Sequence, residues 1–182
     1  MAKFQIENVV ASTSLGEALD LPAIARALGE AKYEPEHFPG LIYRLRDPKA
    51  TILLFRTGKV ICTGAKSLEQ VKRVIDLVAK RIETIGIPVT KNPNIEVQNL
   101  VATSDLGAPI DQAAVARSLH QGHVEYEPEQ FPGLVYRIDE PRVVLLLFGN
   151  GKIVCTGAHA PADVDVALER IRSELKATGL LH

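Results

Sequence analysis

Two short runs, Ile52-Leu53-Leu54-Phe55 and Val144-Leu145-Leu146-Leu147-Phe148, are apolar at every position, where a strand with one wet face would alternate. Softer patterns lie around them. Strands are predicted over residues 4–13 and 95–104, followed by short helices that Asp20 and Asp111 open as N-caps. Hairpin-linked strands follow at 41–46, 51–55 and 59–63, with Asp47-Pro48 and Thr57-Gly58 as turns. Leu68, Val71, Val74, Ile75, Val78 and Ile82 then recur at helical spacing with charges between them, and Val164, Ala167, Leu168, Ile171 and Leu175 repeat that stripe.

The recurrence extends to the whole chain. The stretch YEPEHFPGLIYRLRDPKATILLFRTGKVICTGAK from Tyr33 returns as YEPEQFPGLVYRIDEPRVVLLLFGNGKIVCTGAH from Tyr126, and IENVVASTSLG returns as VQNLVATSDLG. The offset is 93 residues at Tyr33/Tyr126 and 91 at Asn8/Asn99, which places a two-residue insertion between His120 and Val124. One repeat is therefore expected over residues 1–91 and a second over 92–182, each ordered strand, helix, strands, helix. Two such units can join their sheets edge to edge.

Period-two geometry sorts the strand residues. With Ile52, Leu54, Val60 and Cys62 turned to the helices, Leu53, Phe55, Ile61 and Thr63 point away; Leu146, Phe148, Val154 and Thr156 do so in the second copy. With Val10, Val101, Phe38 and Phe131, about ten large apolar side chains would face solvent, forgoing on the order of 10–25 kcal/mol of burial. The helices are too charged on their far sides to cover both faces, so something outside the chain must cover this one. A lone strand phenylalanine is ordinarily core; the surplus face is what turns Phe55 and Phe148 outward.

Formal charge is scarce on that face apart from Lys59 and Lys152 near its rim, and its polar groups are the paired amides Asn8 and Asn99 and the paired hydroxyls Thr63 and Thr156. Such a face suits the DNA minor groove, whose edges present mainly the acceptors A N3 and T O2. The net charge of −1 argues weakly against a nucleic-acid binder. Its distribution matters more: fourteen basic against ten acidic residues in 1–91 give +4, and seven against twelve in 92–182 give −5. Cys62 and Cys155 are too few for a disulfide framework, and neither they nor His37, His120, His123, His159 and His182 have metal-ligand spacing. No nucleophile and base stand at recognisable spacing, and the Gly-Lys of FRTGK and FGNGK lacks the P-loop pattern, so neither an enzyme nor a cofactor is expected. Apolar runs are too short to cross a bilayer, and Met1-Ala2-Lys3-Phe4 has no signal-peptide anatomy, so a cytoplasmic protein is expected.

The doubled motif YEPE-x-FPG-L-x-YR with LLF-x-x-GK-x-x-CTGA resembles the TATA-binding protein core, over essentially the whole chain. The resemblance implies an α+β fold: a pseudo-two-fold saddle of two tandem repeats, its continuous curved antiparallel sheet carrying helices on the convex face and an exposed apolar concave face. It implies a general transcription initiation factor, nucleoid-associated in an archaeal cell, that binds the minor groove of promoter DNA and bends it. By matching motif, Phe38 with Phe55 and Phe131 with Phe148 are the pairs that pry open base steps, a use of apolar wedges for which this family is a standard example. Asn8 and Asn99 match the central asparagines, Val10 and Val101 the flanking valines, Thr63 and Thr156 the threonines, and Leu53, Ile61, Leu146 and Val154 the apolar floor. Arg44, Lys59, Arg137 and Lys152 match phosphate-contacting positions, which orient the protein without reading sequence. The acidic loop with Glu125, Glu127 and Glu129 resembles the docking site for transcription factor B, through which RNA polymerase is engaged indirectly. The helices lack the strongly basic run of eukaryotic relatives.

A rival reading explains the same face as a self-associating or apolar-ligand-binding module, in which two sheets face each other, as in a homodimer of the DNA-free chain, or enclose a lipid. It gives no reason for the paired asparagines, threonines and arginines.

Overall fold

The computed structural model describes residues 3–120 and 122–181; His182 and the centre of the two-residue insertion, Gln121, lie outside the described residues. The backbone divides into two compact α+β units, one of Asn8–Gln98, the other of the residues up to Glu7 together with those from Asn99 onward.

The first unit contains β1 (Gln5–Ser14, from Asn8), α1 (Leu21–Leu28), β2 (Leu41–Arg46), β3 (Lys49–Leu54), β4 (Lys59–Ala65) and α2 (Leu68–Thr84). Its strands are antiparallel in the order β2-β3-β4-β1. The second contains β5 (Glu96–Asp105, from Asn99), α3 (Gln112–Ser118), β6 (His123–Glu125), β7 (Leu134–Ile138), β8 (Val143–Leu147), β9 (Lys152–Ala158) and α4 (Pro161–Ala177), with strand order β5-β9-β8-β7-β6. The unit boundary cuts through β1 and β5, and side-chain hydrogen bonds tie each exchanged strand end to its unit. Gln98 Nε2 donates to Ser12 Oγ at 2.8 Å and Thr13 Oγ1 to the Asn94 carbonyl at 2.6 Å in the first unit; Thr103 Oγ1 donates to Glu7 Oε1 at 3.0 Å in the second.

Local chemistry sets the elements as the sequence predicts. Asp20 accepts from the Ala23 N–H and Asp111 from the Ala114 N–H, both at 3.2 Å, capping α1 and α3. Ser67 caps α2 through Gln70 N–H, whereas α4 starts on Pro161 with no side-chain cap. Val71, Val74, Ile75, Val78 and Ile82 of α2 are buried, as are Val164, Ala167, Leu168, Ile171 and Leu175 of α4. Leu68 departs from the expected stripe: it is the first helical residue and is 41% exposed.

The strands differ from expectation mainly at their ends. β3 begins directly after the Asp47-Pro48 turn and stops before Phe55, whose N–H closes the next hairpin on the Lys59 carbonyl at 2.9 Å. β6 has no counterpart among the predicted strands. It occupies the inserted segment and pairs His123, Val124 and Glu125 with β7, where the first repeat makes only an isolated bridge between Lys32 and Ile42. Three residues are too few for alternation to register.

Beneath the sheets, each repeat buries one tyrosine against its long helix with a different partner. Tyr43 takes a hydrogen bond from Arg81, and Tyr136 donates to Glu174 Oε1 at 3.0 Å. Burial, reinforced by the Glu174 carboxylate, pushes the Tyr136 hydroxyl up to about 12. Both cysteines lie in the core, and burial pushes each thiol up to about 11. Alkylation by iodoacetamide at pH 8 is therefore expected to be negligible in the native protein and complete in denaturant, because the thiolate is the reactive form. Stoichiometric labelling of the folded chain would contradict this placement.

Candidate nucleic-acid interface

Burial alternates along the inner strands of both units. In β3 and β4, Ile52, Leu54, Val60 and Cys62 are buried while Leu53, Ile61 and Thr63 are half-exposed; in β8 and β9, Leu145, Leu147, Ile153 and Cys155 are buried while Leu146, Val154 and Thr156 are half-exposed. Val10 and Val101 lie between buried neighbours in β1 and β5 and share the outward side. The outward side chains are half-covered by one another, so the burial forgone is smaller than the sequence suggests. Cross-strand pairs make the floor: Ile42 opposite Leu53 and Leu53 opposite Ile61, then Val135 opposite Leu146 and Leu146 opposite Val154. Ile42 and Val135 were missed among the site residues, although LIYRL and LVYRI alternate clearly enough to place them outward.

At one end of each floor stands a pair of phenylalanines. Phe38 and Phe55 have ring centroids 6.0 Å apart at an interplanar angle of 66°, and Phe131 and Phe148 repeat this at 6.1 Å and 66°. Phe38 and Phe131 are 37% and 41% exposed, high values for so large an apolar side chain. Phe55 and Phe148 sit at hairpin mouths, fixed by their N–H bonds to Lys59 and Lys152. Phe38 and Phe131 each close a helical turn by donating to the carbonyls of Glu34 and Glu127 at 3.0 Å. Room for each pair comes from a glycine: a Cβ on Gly40 would stand 2.7 Å from the Phe38 ring and 3.0 Å from Phe55, and one on Gly133 2.6 Å from Phe131 and 3.1 Å from Phe148.

At the other end stands an asparagine whose orientation is fixed by a β-bulge. Opposite Val10, β4 carries two residues, Thr63 and Gly64; opposite Val101, β9 carries Thr156 and Gly157. Both glycines have positive φ, +90° and +94°, a conformation side chains disfavour. The N–H freed at each bulge is taken by the asparagine carbonyl: Gly64 to Asn8 Oδ1 at 2.7 Å, Gly157 to Asn99 Oδ1 at 2.6 Å. An amide nitrogen cannot accept, so these bonds settle which end of each amide is oxygen. Among the described residues, each Nδ2 makes one long contact with its threonine, 3.4 Å to Thr63 and 3.3 Å to Thr156. Each face thus turns an N–H donor and a hydroxyl outward while its amide acceptor is already occupied.

Cations border both faces. Arg44 and Arg137 are exposed at alternation positions matching Ile42 and Val135, and exposed Lys59 and Lys152 open β4 and β9. Arg137 Nε lies 3.9 Å from Glu125 Oε1, both side chains more than half exposed, a pair worth little in water. Glu125 is the last residue of β6 rather than a loop residue, while Glu127 and Glu129 are exposed in the following turn.

The family described as "Transcription factor TFIID (or TATA-binding protein, TBP)" matches this chain over residues 3–85 and 94–178. Among curated relatives, a TATA-box-binding protein of Thermoplasma volcanium is 55% identical over 179 residues, covering 98% of this chain and 97% of its own. One of Archaeoglobus fulgidus is 51% identical over 179 residues, covering 98% of each. The solved structure described as Methanococcus jannaschii TBP superposes with a TM-score of 0.90 at 48% identity, over 96% of this chain and 99% of that one.

Proposed function

The chain belongs to the TATA-binding protein family, and from that premise we propose that it is a general transcription initiation factor that reads promoter DNA through the minor groove. The observation that carries this reading is the locked amide of each repeat. With Oδ1 of Asn8 and Asn99 held by the bulge glycines, what remains to face a ligand is the amide donors and the threonine hydroxyls over an apolar floor. A·T edges in the minor groove offer only acceptors, and the guanine amino group would meet a floor that cannot accept from it. The phenylalanine pairs Phe38/Phe55 and Phe131/Phe148 insert at the ends of the site and kink the duplex, one pair from each repeat, 1–91 and 92–182. Unstacking costs a few kcal/mol per step and is repaid by added contact. Val10, Leu53 and Ile61 in one repeat and Val101, Leu146 and Val154 in the other meet the base edges, and Thr63 and Thr156 add hydroxyl donors. Arg44, Lys59, Arg137 and Lys152 hold phosphates and give the affinity its salt dependence. The chemistry is binding and bending, with no bond made or broken.

Fluorescence anisotropy on three duplexes tests this: a TATA-type octamer, the same site with I·C pairs, and the same site with G·C pairs. Inosine changes the major groove but keeps the minor-groove pattern, so the first two are expected to bind and the third to fail. Equal binding to all three would rule out minor-groove reading. Free of DNA, the same apolar faces pair two copies into a homodimer that the duplex displaces; dimerisation that DNA cannot compete away would favour the self-associating module instead.

A near-symmetric reader needs a second cue for direction. We place it in the acidic second repeat, where Glu125, Glu127 and Glu129 dock transcription factor B and so bring in RNA polymerase; the −5 of this half against the +4 of the other supports the choice. Reversing the charges of Glu127 and Glu129 is expected to abolish factor B recruitment in a mobility-shift assay while leaving the binary DNA complex intact. Loss of both together would overturn the assignment.

A further inference from the structure

The two phenylalanine pairs match in geometry but not in how the surrounding chain is held. In the second repeat a single amide side chain bonds beside both rings. Gln112, the first residue of α3, donates through Nε2 to the carbonyl of Pro132 at 2.8 Å and to that of Leu147 at 2.9 Å. Pro132 directly follows Phe131, and Leu147 directly precedes Phe148. Its Oε1 accepts from the Tyr126 hydroxyl at 3.1 Å, at the start of the turn that carries Phe131. One side chain therefore ties together the turn, the strand end and the helix start from which the pair projects.

At the 91-residue offset, the equivalent of Gln112 in the first repeat is Leu21, fully buried and without a hydrogen-bonding atom in its side chain. The pseudo-symmetry of the chain is broken at this point. We propose that Gln112 is a positioning residue that pre-organises Phe131 and Phe148 for insertion, so that the second-repeat wedge enters the base stack at lower ordering cost than the first-repeat wedge. This inference rests on the minor-groove reading for its purpose, though the clamp itself can be observed without DNA.

The physical argument is one of entropy and register. A wedge works only if ring and backbone arrive together, and a ring whose flanking carbonyls are both bonded to one amide has fewer arrangements to lose. The bonded carbonyls also fix the spacing between turn and strand end, which the edge-to-face contact of the two rings alone would leave adjustable. In this role Gln112 acts through the backbone beside the rings.

The experiment uses the full chain with fluorophenylalanine, whose five positions are assigned by single replacements, and compares wild type with Gln112→Leu and Gln112→Glu. Leucine is the residue that the first repeat carries here and is expected to fold; glutamate keeps the acceptor for Tyr126 but loses both donors. In both variants the fluorine resonances of Phe131 and Phe148 are expected to shift and broaden, with those of Phe38 and Phe55 unmoved. Dissociation from a TATA-type duplex is expected to speed up about five- to thirtyfold, with the salt dependence unchanged because the phosphate contacts remain. Unmoved Phe131 and Phe148 resonances would overturn the clamp. Moved resonances with wild-type dissociation would overturn the pre-organising role, since the bonds would then be structural only. Failure of the wild-type protein to hold the duplex would overturn the DNA reading instead, and the fluorine spectra would still decide whether the clamp exists.

Discussion

Replacing Phe148 with alanine is expected to weaken binding to a TATA-type duplex about a hundredfold, a loss of about 3 kcal/mol, and to reduce the bend sharply. Phe148 is better placed for this loss than its partner Phe131. It is half-buried at a hairpin mouth, its N–H is bonded to the Lys152 carbonyl at 3.0 Å, and the Phe131 ring packs on it edge to face. Without that ring Phe131 loses its support, and the seat over Gly133 is half empty. Thermal stability is expected to change little, because the side chain belongs to the outward face and not to the core beneath Leu145 and Leu147. Anisotropy titration, a bend measured by energy transfer between duplex ends, and a melting curve together make the check. Wild-type affinity and bend in Phe148→Ala would remove the wedge from the mechanism.

A second large effect is expected from Asn99→Asp, which keeps the shape of the side chain but replaces its N–H donor with a charged acceptor. The carboxylate can still accept from Gly157 N–H, so the bulge and the fold should persist. What it cannot do is donate. Its free oxygen would face the acceptors of an A·T edge, adding repulsion to a lost hydrogen bond and placing a desolvated charge in the interface. A loss of about 3–5 kcal/mol, at least a hundredfold in affinity, is expected at unchanged melting temperature. The same change at Asn8 should behave alike through Gly64. If Asn99→Asp binds as well as wild type, the amide is not a donor to the groove and the central feature of the proposed recognition is wrong.

The sequence was most readable where a period or a doubled motif repeats a physical constraint. Consecutive apolar residues from Ile52 to Phe55 signalled a strand wanting cover on both faces, and the alternation of burial there follows from a period of two residues. Asp20 and Asp111 announced their helices because an N-cap is a local transaction between a side chain and an N–H three residues on. β6 went unread because three residues hold no period and their partner, β7, is distant in sequence. Leu68 kept the helical spacing but is exposed as the first residue of α2, because spacing along the chain does not fix how a helix end is covered by its neighbours.

The site divides along the same line. Asn8, Asn99 and the four phenylalanines could be nominated from their pairing in the repeat and from the family motif. That each asparagine turns its nitrogen outward depends on a bulge, whose freed N–H arises only when two strands pair out of step. Gly40 and Gly133 read as turn glycines until the rings are seen where a Cβ would stand. Gln112 carried no signal, since its three bonds reach residues 14, 20 and 35 positions away. The repeat, the elements and the sides of the strands were legible in advance because they follow from spacing along the chain. Amide direction, ring seating and the bonds of Gln112 were not, because hydrogen-bond direction and close packing depend on groups that only folding brings together.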